Sequence, residues 1–556
     1  EGTLKMSSTP RNYKVIAAEK VAQRNSKIPQ AWLIPPETFK DTTYLLDIPT
    51  TCGVLSDIEC EITSRYDATD LLAKLRDGEF TAEQITVAFC KRAAIAQQLV
   101  NCLTEIFFDE AIDRARHLDA QRQQTPNHPH PLPPLWGLPI SLKDSFAYAG
   151  HDTSTGLACH VNAPAPAHSA LAALLLDQGA VLYCKTNLPQ SIMTGDSDNH
   201  VFGRTLNPRN TIGLTAGGST GGEGALLALR GGVLGVGTDI GGSNRVPAVC
   251  NGLYGSRPSV GVVPHGGVRE LTVPGAVGVM SSAGPLATSM RDIAVFLRTV
   301  MQAGTWKYDS TVISLPWSNL EPGVKEQQRL RIGLVENDGL YTPTPPVRRG
   351  LRKTAELLRS RSDIELVPIT LPGVGQIYQD LLSYYTLSGG DVTLPRAIQP
   401  NSRTPRPSLQ ALEPLLLRPG TTLQGFFDLN VRRADAAETY LSLFRDHGLD
   451  AVLMPPAPHT AVPLDQWSTI SYTGLWNYLD YPALVIPVDQ VREDEDGVDD
   501  VSNARFGEED ARVYALYTGP KDYRDAPVCV QLVGYRHQDE ALMNTAAIVD
   551  GIINGD

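Results

Sequence analysis

The stretches TAGGSTGGEG (residues 215–224) and GTDIGGSNR (residues 237–245) each set hydroxyl side chains among several glycines. Glycine weakens helices and strands, so two such clusters close together indicate that the backbone must approach something there. The residues between them read as a short helix, GEGALLALRGG, followed by a strand, VLGVG. Ser219 and Ser243 therefore lie on consecutive loops of one helix–strand–loop unit, where their side chains can face each other.

A phosphate-binding loop is one alternative for these glycines, but GGSTGGEG lacks the Lys-Ser/Thr ending and GTDIGGSNR does not follow G-x-G-x-x-G. Close packing of a helix on a sheet would explain the glycines at 221–224 but would leave both serines without a role. A nest of backbone donors in the second loop, which could hold a developing oxyanion, predicts acyl-transfer chemistry instead. The predicted donors are the N–H groups of Ile240, Gly241, Gly242 and Ser243.

A serine hydroxyl is a poor nucleophile at neutral pH and needs a base within hydrogen-bonding distance. The chain has 11 histidines, but no motif places one of them beside these loops. A lysine made neutral by burial is the alternative base, and Lys143 ends the apolar, strand-like run GLPISLK. Because a lone lysine after a strand is usually a surface residue, this assignment depends on the neighbouring motifs.

The pattern of secondary structure favours an α/β fold. From PLWGLPISLKDSF onward, short apolar strands alternate with alanine-rich helices, as in HSALAALLLDQGA followed by VLYCKTN. This alternation predicts a mostly parallel or mixed β-sheet covered on both faces by helices. Upstream, Asp67 and Gly78 delimit one predicted amphipathic helix, and a capping box of Thr81 and Gln84 begins a second.

Composition argues against several classes of protein. The 556-residue chain carries 48 Lys and Arg against 61 Asp and Glu, and its formal charge of -13 repels nucleic acid. Its eight cysteines form no C-x-x-C pair, and no apolar run reaches the length needed to span a bilayer. We expect a cytoplasmic protein that binds neither nucleic acid nor membrane.

Four motifs together resemble the amidase signature family in order and spacing. They are GLPISLKD with Lys143, KTN at 185–187, GGSTGG at 217–222 and GTDIGGSNR at 237–245. The similarity extends over most of the chain and is strongest toward fungal acetamidase-type general amidases. It implies that family's fold, an α/β fold with a large mixed β-sheet covered on both faces by helices. Residues 61–556 would form a single domain, and residues 1–60 an N-terminal extension with helices that pack on it.

The resemblance also implies a catalytic triad. Ser243 would be the nucleophile that accepts the acyl group, Ser219 the bridging serine, and Lys143 the final base. It further implies a cis peptide bond between Gly218 and Ser219. A covalent acyl-serine mechanism of this type needs neither a metal nor an organic cofactor.

Other positions would support the triad or bind the substrate. Thr220 stands where the family usually has a second serine, so the hydroxyl is kept and a methyl group is added. Asp239 and Arg245 would fix the shape of the nucleophile loop, with a surface ion pair as the alternative. By the family's pattern, the substrate pocket would include five residues for which core packing is the competing role: Met193, Thr194, Gly195, Tyr385 and Trp476.

The activity implied is hydrolysis of the C–N bond of small carboxylic acid amides, with short aliphatic or aryl acyl groups, to an acid and ammonia or an amine. The alternatives are a carbamate or ester hydrolase of the same mechanism and a glutamine-using amidotransferase subunit. A non-catalytic scaffold is disfavoured because all three triad residues are present, and a lipid amidase because the sequence has no apolar, basic docking helix. Besides the small-molecule amide, a second copy of the chain in a homodimer is an expected partner.

Overall fold

The computed structural model describes residues 12–124, 131–270, 275, 277–318, 329–387, 406–410 and 419–555. Its α-helices are α1 (Tyr13–Asn25), α2 (Ile48–Thr51), α3 (Asp57–Arg65), α4 (Ala68–Asp77), α5 (Ala82–Val100), α6 (Phe108–Gln124), α7 (Ala170–Asp177), α8 (Gly221–Ala228), α9 (Arg245–Asn251), α10 (Met290–Gln302), α11 (Pro345–Arg359), α12 (Val374–Tyr385), α13 (Leu423–Asp446), α14 (Ser471–Leu479), α15 (Glu508–Tyr514) and α16 (Asp539–Ile553).

The β-strands are β1 (Leu103–Ile106), β2 (Pro139–Lys143), β3 (Val181–Thr186), β4 (Asp198–Asn199), β5 (Gly203–Arg204), β6 (Leu234–Asp239), β7 (Tyr254–Arg257), β8 (Ser282–Ala287), β9 (Leu330–Leu334), β10 (Ile364–Pro368), β11 (Ala451–Met454), β12 (Ala483–Gln490) and β13 (Pro527–Val533).

Eleven of these strands form one sheet in the order β1-β3-β2-β6-β8-β7-β12-β13-β11-β9-β10. The sheet is mixed, because β2 pairs in parallel with β3 and β6 whereas β6 pairs antiparallel with β8. Helices α8 and α9 pack against its central strands, and α10, α11 and α16 pack on one another and on the sheet. The predicted α/β fold with helices on both faces of a large mixed sheet is confirmed.

The helix boundaries follow from the capping residues seen in the sequence. Asp67 accepts the N–H of Asp70 at 2.9 Å at the start of α4, and Gly78 ends that helix in the left-handed conformation. The predicted capping box begins α5, since Thr81 and Gln84 each accept the other's backbone N–H. Both helices begin where local side chains satisfy otherwise unpaired amides.

The N-terminal extension contacts the sheet through a buried charge cluster. Lys20 of α1 lies 2.8 Å from a carboxylate oxygen of Asp152 and also pairs with Glu105 of β1. The division of the chain at residue 60 stays a prediction, and residues 1–11 of the extension lie outside the described residues. None of the helices that the structure describes combines the length and apolar character needed to cross a bilayer.

Candidate active site

The two glycine-rich loops and Lys143 meet at one edge of the sheet. Lys143 is the last residue of β2, and the second loop follows β6 directly. Because β2 and β6 are parallel neighbours, their carboxyl ends lie at the same edge, where polar side chains can converge. The first loop precedes α8, which packs on β2, β3 and β6.

Lys143 is fully buried, and its amine contacts two hydroxyl groups. Its Nζ atom lies 2.7 Å from Oγ of Ser219 and 2.9 Å from Oγ1 of Thr238. Burial lowers the pKa of Lys143 to about 7, although Asp239 and Glu270 oppose this shift from a distance. In a large fraction of the molecules, the amine of Lys143 is therefore neutral at pH 7. Only the neutral amine can act as a general base.

The carboxylate next to Lys143 in the sequence does not form an ion pair with it. Asp144 instead lies 3.2 Å from Nζ of Lys185 and accepts hydrogen bonds from Ser154 and the Thr155 N–H. Successive side chains of a strand point to opposite faces, so this arrangement follows from the position of Lys143 at the strand end. Lys185, the lysine of the KTN motif, thus forms the ion pair with Asp144. Asp144 therefore does not stabilise a positive charge on Lys143.

Ser219 is buried and follows a cis peptide bond with Gly218, as the resemblance implied. A side chain at Gly218 would clash with the backbone carbonyl of Thr194, so this position requires glycine. The N–H of Thr220 donates to the carbonyl oxygen of Ser243 at 3.2 Å, which joins the two loops directly. Ser243 itself is partly exposed, whereas Lys143 and Ser219 are not.

The loop around Ser243 is built on a buried ion pair. Both guanidinium nitrogens Nε and Nη2 of Arg245 lie 3.0 Å from the carboxylate oxygens of Asp239, and neither side chain is exposed. Arg245 and the Asn477 amide, which also donates to Asp239, hold the pKa of Asp239 well below its usual range against the effect of burial. The structure thus places the pair inside the protein and does not support the alternative of a surface ion pair.

Asp239 also binds one of the four expected oxyanion donors. The N–H of Gly242 donates to its carboxylate at 2.7 Å, so this amide helps to fix the shape of the loop. Gly242 has a φ of 130°, and a methyl group there would lie 2.5 Å from Oγ1 of Thr473. Residues 240–243 all line the cavity, and the oxyanion role of their N–H groups stays a prediction.

Two residues from distant segments hold the carbonyl groups of this loop. The hydroxyl of Tyr385 donates to the carbonyl oxygen of Ile240, and Oγ1 of Thr473 donates to that of Gly241 at 2.6 Å. These bonds fix the peptide planes of the two residues, and with them the directions of the neighbouring N–H groups. The sequence analysis missed Thr473, because nothing in the sequence around Thr473 indicates that it contacts a loop so distant from it in the chain.

A cavity of about 70 Å³ opens beside Ser243. Met193, Thr194, Gly195 and Tyr385 line it, in agreement with the positions expected from the sequence. No side chain of Asp, Glu, Lys, Arg or His is among its described lining residues. Those residues are Ile192, Met193, Thr194, Gly195, Gly218, Ile240, Gly241, Gly242, Ser243, Val246, Tyr378, Leu382, Tyr385, Trp467, Ser468 and Ile470.

The sequence analysis places Trp476 in the substrate pocket, and this prediction is wrong: the structure places its side chain in the core. Its ring is fully buried in a core cluster, edge-on to Tyr440 at 5.9 Å and stacked on Tyr481 at 6.2 Å. Trp476 lies on α14, and its side chain packs against α13 instead of the cavity. The tryptophan of the cavity wall is Trp467, which the sequence analysis missed.

Comparisons with known proteins agree with this geometry. The family model described as Amidase matches residues 84–543. The chain is 36% identical to the acetamidase of Emericella nidulans, over 98% of this chain and 99% of that protein, and 35% identical to the acetamidase of Aspergillus oryzae over the same shares. A solved structure of fatty acid amide hydrolase superposes with a TM-score of 0.90 at 27% identity, covering 97% of this chain and 95% of that one.

Proposed function

The chain belongs to the amidase family and hydrolyses amide C–N bonds, and on that premise we propose that it cleaves small carboxylic acid amides through an acyl-enzyme on Ser243. The observation that carries this proposal is the contact between Nζ of Lys143 and Oγ of Ser219. The next residue, Thr220, donates its backbone N–H to the carbonyl oxygen of Ser243. A buried lysine in contact with Ser219, on a loop that is bonded to the Ser243 loop, supports a Ser-cisSer-Lys triad.

The first half of the reaction forms the acyl-enzyme. Neutral Lys143 accepts the proton of Ser219, which accepts the proton of Ser243, and Oγ of Ser243 attacks the amide carbonyl carbon. The negative charge that develops on the carbonyl oxygen is stabilised by the backbone N–H groups of the loop at residues 240–243. When the C–N bond breaks, the relay returns the proton to the leaving nitrogen, which departs as ammonia or an amine.

The second half releases the acid. Water enters, gives a proton to the same relay and attacks the acyl carbon, so Ser243 leaves with a proton and the carboxylic acid is freed. The low pKa of Lys143 supports both halves, since the base must lose and regain its proton near neutral pH.

The lining of the cavity supports a neutral, small substrate. Apolar and aromatic side chains dominate its described walls, and a charged acyl group would lose its hydration there without a partner. The small volume of the cavity, about 70 Å³, also argues against long acyl chains. Carbamates and esters share the reacting carbonyl and are the closest alternatives.

Release of ammonia or acid from a substrate panel tests the proposal. The panel should contain short aliphatic amides, benzamide, an ethyl carbamate, a short ester and a long-chain fatty acid amide. We expect turnover of the small amides, no turnover by Ser243→Ala, and unchanged turnover by Ser26→Ala, whose serine is exposed at the end of α1. Turnover restricted to the fatty acid amide, or none of any amide, contradicts the proposal.

A further inference from the structure

Trp467 forms a wall of the cavity and contacts a position that has no side chain. A methyl group at Gly195 would lie 2.5 Å from both Cγ and Cδ1 of the Trp467 ring, so glycine is what allows the indole to sit there. The ring of His459 packs edge-on against the indole, with centroids 4.6 Å apart. Only 6% of Trp467 is exposed, which means that the ring is enclosed by these contacts.

The segment that carries Trp467 is tied to the loop that carries Gly195. The N–H of Asp465 donates to the carboxylate of Asp196 at 2.9 Å. The guanidinium of Arg204 contacts both aspartates and lies 2.9 Å from each carboxylate oxygen of Asp465. These bonds lie beside Trp467 on one segment and beside Gly195 on the other, so they hold the two backbone segments together at the contact between the indole and Gly195.

The space that this wall leaves is small. The cavity measures about 70 Å³, whereas an apolar protein cavity that accepts benzene measures about 150 Å³. An alkyl group of a few carbons fits the smaller volume, whereas a phenyl ring exceeds it. Since a primary amide loses only ammonia, its acyl group determines whether the substrate fits.

We propose that Trp467, seated against Gly195, sets the upper size limit of the acyl group and restricts this enzyme to short aliphatic amides. The inference rests on the amide hydrolysis proposed above and adds a residue that determines specificity. Trp467 takes no part in the proton relay, so a smaller side chain there enlarges the cavity and leaves the triad intact.

The test compares kcat/KM for propionamide and benzamide in the wild type and in Trp467→Leu. We expect the wild type to favour propionamide at least about tenfold, and Trp467→Leu to shift the benzamide/propionamide ratio toward benzamide by at least about tenfold, because a pocket discriminates by that order for each methylene-sized change. Trp467→Phe should give a smaller shift. Trp306→Leu is the matched control, because Trp306 is 58% exposed and is not one of the described residues that line the cavity.

The outcomes separate this inference from the proposed function. A wild type that hydrolyses benzamide as efficiently as propionamide overturns the size limit, as does an unchanged ratio in both Trp467→Leu and Trp467→Phe. A wild type that hydrolyses no amide overturns the function itself. A ratio is measured because partial unfolding lowers both rates equally, and Trp467→Phe, which keeps an aromatic ring, supplies the answer if Trp467→Leu does not fold.

Discussion

Nζ of Lys143 lies 2.7 Å from Oγ of Ser219 with no exposed surface on the lysine. The nearest carboxylate in the sequence, Asp144, pairs with Lys185 instead. A base and a hydroxyl are thereby held in contact, and no carboxylate of the described residues touches the nitrogen.

The rate should rise with pH through a single ionisation near pH 7 and stay high in mildly alkaline solution. Burial lowers the pKa of Lys143 to about 7, and only the neutral amine can accept a proton. Lys143→Ala should lose activity by about 10²- to 10⁴-fold. The measurement is the pH–rate profile of kcat/KM for a small amide.

A histidine variant is the control for this profile. His459 is buried beside Trp467, and burial lowers its pKa to about 4, so it cannot produce an ionisation near pH 7. His459→Gln should keep the rising limb where the wild type has it. A collapse of activity in His459→Gln together with near-normal activity in Lys143→Ala would mean that the base is misassigned.

Lys143→Met should stabilise the protein at neutral pH although it destroys activity. The pKa of Lys143 is about 7 in the folded state and 10.5 in its ordinary environment, so between these values the unfolded chain binds the extra proton. Stability of the wild type therefore rises with pH from 7 to 10, and below pH 7 the burial penalty is fully present, at most about 5 kcal/mol.

Thermal unfolding midpoints of wild type and Lys143→Met between pH 6.5 and 9.5 measure this effect. We expect the variant to have its largest advantage at the low end and to lose it as pH increases. Loss of hydrogen bonds to Ser219 and Thr238 lowers the advantage at every pH alike. A difference that is independent of pH would show that Lys143 is not neutralised by burial.

Asp239→Asn should abolish activity and destabilise the fold. The substitution leaves the buried Arg245 without its carboxylate, which costs about 3–5 kcal/mol, and it weakens the bond that holds the Gly242 amide. The matched control is Asp363→Asn, since the Arg361–Asp363 pair is exposed and should cost under about 1 kcal/mol. Equal effects of the two substitutions on denaturant midpoints would contradict the structural role of Asp239.

Thr220→Ser should retain most of the activity, whereas Thr220→Val should not. The hydroxyl of Thr220 donates to the Thr238 carbonyl at 3.4 Å or to Oδ1 of Asn244 at 3.2 Å, and serine can make either bond. Valine keeps the shape of the threonine side chain but cannot donate a hydrogen bond to these buried acceptors. The loss of that bond costs about 1–3 kcal/mol of stability at the site. Steady-state kinetics of both variants with one small amide distinguish the effect of losing the hydroxyl from the effect of losing the methyl group. Equal rates of the two variants would mean that the hydroxyl has no role in activity.

The sequence predicted the parts of the site that depend on local order along the chain. Lys143 was expected at a strand end, and the two serines on consecutive loops, because the strand–helix alternation and glycine clusters are visible within short windows. The family pattern added the cis peptide at Gly218, which no local propensity indicates. The strand end and the two loops are specified by neighbouring residues, so short windows of the sequence suffice to predict them.

The parts that the sequence did not predict depend on contacts between remote segments. Trp467 and Trp476 lie close together in the sequence, but one packs on Gly195 and the other on Tyr440. The use of the Gly242 amide by Asp239 depends on a turn whose φ of 130° is known only from the structure. Tertiary packing, not local pattern, decides which side chain reaches the cavity.

Covalent labelling of Ser243 tests the central claim most directly. The purified protein is incubated with a serine-directed phosphonylating inhibitor, and the adduct is located by intact mass and peptide mapping, with Ser243→Ala as the control. The account predicts one adduct per chain, on Ser243, and none in the variant. A label on Ser219 or on a cysteine, or labelling that persists in Ser243→Ala, would contradict it.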